Sequence, residues 1–320
     1  MRFGRTPEQH AFSEALDDLL GAADVPAASR AWATGDHSAG LKLWQRLAEL
    51  GVTGLLVSEE NGGLSASAVD LTVAFERLGY HGVPGPWIES VAVAPRLLPG
   101  TPEGDLLARL ASGEALVSVA PGKRALDADV AERTYALGAT LCRAEPGAER
   151  TSVDPTRRLF EVTPGEEIAT IDPAPALDLG TLACSAQLLG AGLRLLDDSV
   201  AYVKQRTQFG RPIGEFQAVK HLLADVRVAL DFAAPLVHNA AVELDAGTPT
   251  AARAVSAAKV AAGDAAYLAS RTALQVHGAI GYTREFDLSL WILKVRALVG
   301  AWGTPAEHRA RILESLVEAR

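Results

Sequence analysis

Gln205-Arg206-Thr207-Gln208-Phe209-Gly210-Arg211-Pro212-Ile213-Gly214-Glu215-Phe216-Gln217 interrupts two long apolar-periodic runs, one from Leu177 to about Gln205 and one from Gly214 to about Asp245. Apolar side chains that recur at helical spacing over such lengths predict helices, and a short link lays the second back beside the first. Working outward, an alanine-rich run from Thr250 to about Val276 and two shorter ones, Phe286–Val299 and Pro305–Glu318, extend the pattern. Residues 177–320 therefore read as a bundle of four or five antiparallel helices.

Upstream the texture changes twice. Between Glu114 and Pro175 short β-prone runs (Ala115–Val119, Thr134–Cys142, Arg158–Val162) alternate with Pro, Gly and Asp, which predicts a small unit of three to five strands. Residues 7–112 return to helical spacing, with a helix to about Leu20 and others over Leu41–Leu50, Ala66–Leu78, Ile88–Leu98 and Asp105–Leu110. The fold class is mainly α with a small β domain, divided as 1–113, 114–176 and 177–320. Four Thr-Pro pairs, at Thr6, Thr101, Thr248 and Thr304, are read as helix starts, since Thr can cap free N–H groups and Pro suits the first helical position. Gln9 and Glu307 complete capping boxes at the first and last.

The 320 residues carry a formal net charge of −9 and hold no Lys/Arg-rich run, which argues against nucleic acid as a partner. The opening residues are polar, and no stretch approaches the roughly 18 uninterrupted apolar residues of a membrane span, so a cytoplasmic location is expected. Cys142 and Cys184 lie in unrelated contexts without metal-ligand spacing; both are expected to be buried free thiols, and no metal site is expected.

Two segments are richer than connectors need to be. In the opening stretch, Arg206 at a helix end followed by polar donors and Gly210 supplies a planar cationic fork and backbone N–H groups suited to a phosphate or pyrophosphate. The same arginine could instead satisfy the last carbonyls of its own helix. In the second, Gln275-Val276-His277-Gly278-Ala279-Ile280-Gly281-Tyr282, the glycines permit close backbone approach to a flat ligand, although Gly278 could equally be a helix stop. The spacing is not that of a Rossmann fingerprint, and no strand precedes it.

The order of helical domain, small β domain and helical bundle, together with Arg206 to Gln217 and Gln275 to Thr283, resembles the acyl-CoA dehydrogenase family. Gly51-Val-Thr-Gly-Leu-Leu-Val-Ser-Glu-Glu-Asn-Gly-Gly63 and Phe75-Glu-Arg-Leu-Gly79 resemble its first domain. The resemblance implies FAD-dependent α,β-desaturation of an acyl-CoA thioester, with electron-transfer flavoprotein as the usual acceptor. It implies that Arg206, Gln208 and Phe209 reach the pyrophosphate and ring edge of a neighbouring subunit's FAD, and that Gln217, Gln275, Gly278 and Ala279 line its adenosine side. Ala279 stands where the family usually has a second glycine.

Abstraction of a weakly acidic α-proton needs a positioned base, and the family supplies a Glu from one of two places. Trp302 and Gly180 occupy them here. The family's flavin-holding stretches are also missing between Glu114 and Pro175, where Val119-Ala-Pro-Gly-Lys-Arg124 is the nearest remnant. The chain thus resembles the shortened, non-catalytic subunit of heteromeric (α2β2) acyl-CoA dehydrogenases of actinobacteria that act on bulky acyl groups such as steroid side chains. Its expected partner is a full-length catalytic subunit, and its expected cofactor is FAD shared at the interface. Two alternatives stay open: a self-sufficient flavoenzyme whose base is Asp178, Glu285 or Asp287, and a cofactor-free helical interaction protein. Glu285 and Asp287 read first as caps of the helix they precede, Arg309 and Arg311 as part of a solvated face, and Trp44, Trp87 and Trp291 as core or interface anchors.

Overall fold

The computed structural model describes residues 4–283 and 285–318. Six helices come first: α1 (Pro7–Gly21), α2 (Val25–Ala33), α3 (Ser38–Glu49), α4 (Ala68–His81), α5 (Ala94–Leu97) and α6 (Leu106–Ala111), with a π-helical turn over Ile88–Val93 leading into α5. α1 starts on the expected Thr6/Gln9 capping box, and α4 on one formed by Ser67 and Asp70. The unexpected helix is α2, which Asp24 caps through the Ala27 N–H with Pro26 in its first turn. Two Thr-Pro pairs open no helix directly. Thr101 donates back to the Leu98 carbonyl, and the chain turns before α6 begins at Leu106. The Thr248 and Thr250 hydroxyls donate to the Glu243 carboxylate, so the next helix begins at Ala251.

The expected β unit is a five-stranded sheet of β1 (Val117–Ala120), β2 (Arg124–Leu126), β3 (Arg133–Leu137), β4 (Thr140–Arg150) and β5 (Leu159–Thr170). Its order is β1-β3-β4-β5-β2; β1 and β3 run parallel and the other neighbours antiparallel. Ser90 of the π turn ties the helical part to the sheet, its hydroxyl donating to the Val117 carbonyl and accepting from the Val117 N–H. Cys142, on β4, is only half-buried, whereas Cys184 is buried as expected.

The C-terminal half is α7 (Ala174–Gln205), α8 (Gln217–Asp245), α9 (Ala251–His277), α10 (Leu288–Gly300) and α11 (Pro305–Glu318), the last starting on the Thr304/Glu307 box. α7 is the axial helix, packed on α4, α8, α9 and α10. It crosses α4 backbone to backbone: a Cβ on Gly79 would stand 2.2 Å from the Gln187 carbonyl oxygen, and one on Gly190 would stand 1.9 Å from the Glu76 carbonyl oxygen. This explains the glycine that ends Phe75-Glu-Arg-Leu-Gly79. Gly190→Ala is therefore expected to destabilise the chain by roughly 3 kcal/mol, because one of two rigid backbones must move. Gly263→Ala in α9, where the added methyl meets no atom within 4 Å, should stabilise it by roughly 0.5–1 kcal/mol. Denaturant unfolding of the two variants measures the contrast.

Candidate functional site

Antiparallel packing returns the end of α9 to the end of α7, so the two loop motifs meet at one end of the bundle. Tyr202 and His277 join them, with rings stacked at 4.1 Å between centroids. His277 is buried, and desolvation lowers its pKa; Nδ1 lies 2.8 Å from the Ala273 carbonyl oxygen. The segment after α7 is a two-residue hairpin, β6 (Thr207–Gln208) paired with β7 (Arg211–Pro212). Its corner residues Phe209 and Gly210 both have positive φ, at 54° and 79°, as a type I′ turn requires. Phe209 is 93% exposed at the tip. Arg206 makes no side-chain hydrogen bond or ion pair among the described residues, so it does not cap its own helix. Among the described residues the Gln208 side chain donates only to the neighbouring Thr207 carbonyl. Gln217, Gln275, Gly278 and Ala279 are all exposed at the same end. Gly278 has φ 64°, with open space where a Cβ would stand.

Trp302 and Gly180 lie together elsewhere, where α7 begins and α11 follows α10. A Cβ on Gly180 would stand 2.6 Å from the Trp302 ring and 3.0 Å from Val93 Cγ2, so the indole fills the space over the glycine. Trp302 is buried and has φ 56°. Its carbonyl accepts from Thr181 Oγ1 at 3.3 Å and lies 2.9 Å from His308 Nε2. Buried Lys259 of α9 donates to the Leu298 and Val299 carbonyls at 3.0 Å, holding the end of α10 that carries this turn. Sequence reasoning missed Lys259, although a lone lysine within an alanine-rich helix was a signal.

The three alternative bases are placed as follows. Asp178 is nearly buried and gives both carboxylate oxygens to Arg311, which thereby leaves the solvated face expected of it. Asp287 caps no helix; its carboxylate meets Arg30 of α2. Glu285 is exposed.

A cleft of about 620 Å³ opens beside Trp302, between the sheet (Val119 to Leu126, Thr151 to Leu159) and the end of α10. Glu89 of the π turn lines it, 3% exposed, with Oε2 buried and unpartnered. Burial pushes this carboxyl up from 4.5 to about 7, against the opposing field of Arg157. Burial likewise raises Asp127 from 3.8 to about 7, although Trp32 Nε1 and the Arg158 N–H donate to its Oδ1. Nearby Lys294 is fully buried with its pKa lowered by desolvation, donates to Thr156 Oγ1 and lies 3.6 Å from Asp154. The signal for Glu89 was a single carboxylate inside the apolar run Trp87-Ile88-Glu89-Ser90-Val91.

Residues 6–114 match the acyl-CoA dehydrogenase N-terminal domain, and residues 174–317 match the acyl-CoA dehydrogenase C-terminal domain. Over 322 aligned residues the chain is 31% identical to the acyl-CoA dehydrogenase IpdE2 of Mycobacterium tuberculosis, covering 98% of each. The chain belongs to the acyl-CoA dehydrogenase family. Among solved structures it shares this acyl-CoA dehydrogenase fold with the Tcur3481-Tcur3483 steroid ACAD, at a TM-score of 0.87 and 20% identity over 98% of both chains. It also shares it with the ChsE4-ChsE5 complex of M. tuberculosis, at 0.83 and 20% over 99% of both.

Within this acyl-CoA dehydrogenase fold the Glu89 carboxyl keeps its proton to about pH 7, whereas in the unfolded chain it releases it near 4.5. Folding takes up a proton across that window, so this group's stabilising contribution declines as pH rises from about 4.5 through 7. Thermal melts of Glu89→Gln between pH 5 and 8 should fall less steeply with pH than those of the unaltered chain. The difference between the two removes the contributions of His37, His81, His277 and His308, whose lowered pKa values act in the opposite direction, and reports Glu89 together with the part of the Asp127 shift that the Glu89 charge causes.

Proposed function

We propose that the chain is the non-catalytic subunit of an FAD-dependent acyl-CoA dehydrogenase built with a full-length catalytic partner. The observation that carries this reading is Phe209. An aromatic side chain held at positive φ and 93% exposed contributes little to its own fold and offers a rigid apolar contact to another molecule. Around it, Arg206 presents an uncommitted guanidinium, and Gly278 leaves its backbone open to approach. This donor set suits the pyrophosphate and adenosine side of FAD: Arg206 and Gln208 would meet the pyrophosphate, Phe209 the ring edge, and Gln217, Gln275, Gly278 and Ala279 the adenosine.

When bound, FAD supplies the acceptor for the hydride that leaves the acyl β-carbon. What this chain contributes is binding and orientation of that cofactor from across a subunit boundary. Under this reading the family's two base positions contribute no proton acceptor: Trp302 offers no proton-accepting atom, Gly180 offers no side chain, and neighbouring Asp178 is engaged by Arg311. A bulky, steroid-derived acyl-CoA is the substrate class we assign, in keeping with the steroid enzyme among the solved structures of the same fold. The two-component name of another such structure accords with a heteromeric assembly, and a soluble cytoplasmic setting with electron-transfer flavoprotein as acceptor completes the proposal.

In the complex of this chain with its catalytic partner, Arg206→Ala is expected to lower flavin occupancy at least threefold while leaving this subunit's thermal melt unchanged. Full occupancy in that variant would refute the assignment. Trp302→Ala should destabilise the chain by about 3 kcal/mol through the cavity it leaves. Turnover per bound flavin should stay within a few-fold; loss of turnover with flavin still bound would favour a self-sufficient enzyme.

A further inference from the structure

The residues assigned to the flavin lie on two separate segments, and one buried side chain joins them. Arg206 follows α7 and Gly278 follows α9, each the first residue beyond its helix. The Arg206 N–H donates to the Tyr202 carbonyl at 2.9 Å, and the Arg206 carbonyl accepts from the Ile213 N–H at 2.8 Å, which closes the hairpin onto α7. The Gly278 N–H donates to the Leu274 carbonyl and ties the second segment to α9. The two helix ends thus place the two segments. What couples the ends is the stack of Tyr202 on His277, whose rings are 27° from parallel.

His277 is enclosed from the other side as well. Phe286, in the segment that leads to α10, lies 5.5 Å from it between centroids, and a Cβ on Gly281 would stand 3.3 Å from the His277 Cβ. The Ala273 carbonyl can only accept, so Nδ1 carries the proton of the neutral ring, and Nε2 makes no hydrogen bond among the described residues. A second proton would place a charge in this enclosure. The charged side chain whose field reaches the ring is Asp198 of α7, one turn before Tyr202, and both of its oxygens already accept from Arg194 Nε. Asp287, next to Phe286, is turned to Arg30, and Glu285 is exposed. Desolvation therefore outweighs the attraction of Asp198 and lowers the pKa of the imidazole.

We propose that His277 is a positioning residue for the shared flavin: while neutral it pins the ends of α7 and α9 together through Tyr202, holding Arg206 toward the pyrophosphate and Gly278 and Ala279 toward the adenosine, and when protonated it releases them. The inference rests on the subunit reading and adds to it the group that sets the geometry of the two segments and makes cofactor retention sensitive to pH. Binding groups held beforehand in their bound arrangement cost less to order, which is what the clamp contributes. The clamped ring has the lower pKa and the released ring the ordinary one of 6.5, so the clamp is at full strength above that value and weakens as pH falls below it.

The test measures the FAD dissociation constant of the complex between this chain and its catalytic partner, by equilibrium dialysis and flavin absorbance from pH 5.5 to 8.0, with subunit assembly followed by light scattering at each pH. The unaltered complex should lose about fivefold in affinity between pH 7.5 and 5.5 while staying assembled. His277→Phe keeps a stacking ring that takes no proton; it should match the unaltered complex at pH 7.5 and lose less than about twofold on acidification. His277→Ala and Tyr202→Ala, which each remove one ring of the stack, should weaken FAD at least about fivefold at pH 7.5 in an assembled complex. A His277→Phe complex that keeps the unaltered pH profile, or that loses affinity at pH 7.5, would overturn the proposal. So would flavin loss that occurs only where the complex dissociates, since that is what a purely structural histidine produces. Arg206→Ala separates the two readings. Full FAD affinity in that variant refutes the subunit reading and this inference with it, whereas weakened FAD beside an unaltered His277→Phe profile refutes this inference alone.

Discussion

The Trp302 indole lies over Gly180, and the local structure around it depends on that contact. A side chain at 180 would collide with the ring, so the glycine and the tryptophan require one another. The ring is presented by a turn with positive φ at both 302 and 303, a conformation that L side chains resist and that surrounding groups must hold. Those groups come from three helices. Thr181 and His308 engage the Trp302 carbonyl, and Lys259 gathers the last carbonyls of α10. The space over Gly180 is filled by the indole, and the turn that carries it is anchored by polar contacts.

The two ends of the structure thereby differ in character. At the hairpin end polar and aromatic groups are exposed and uncommitted, with Arg206 unpaired and Phe209 facing solvent. At the cleft end Asp127 accepts from Trp32 and the Arg158 N–H, and Lys294 donates to Thr156 beside Asp154, while Glu89 is buried with Oε2 unpartnered. A buried network of this sort adds little net stability, yet removing one member leaves another unsatisfied, so it specifies how the sheet sits against the helices. The exposed end has no comparable internal role.

Much of this was legible in the sequence because it depends on local chemistry. Capping boxes at Thr6 and Thr304 set helix starts that the structure reproduces, and short β-prone runs separated by Pro, Gly and Asp mark the sheet. The hairpin at Phe209-Gly210 shows in the sequence only as a polar link, since two strands of two residues leave no periodic trace. α2 went unseen because nine residues hold too few turns for a periodic signal, although Asp24 and Pro26 marked its start. The pairing of Asp178 with Arg311 and the reach of Lys259 to α10 join residues more than a hundred and about forty positions apart, and only packing brings them together. Glu89 interrupts an apolar run, but only the packing of the π turn against the sheet shows that its carboxyl is buried.

The central claim, that this chain lends contacts to a flavin whose catalytic groups belong to a partner, is tested most directly by a visible absorption spectrum. The chain is purified alone and again after co-expression with a full-length acyl-CoA dehydrogenase subunit that co-purifies with it. The account predicts a flavin band only in the complex. A flavin band on the isolated chain, with turnover of an acyl-CoA, would contradict it.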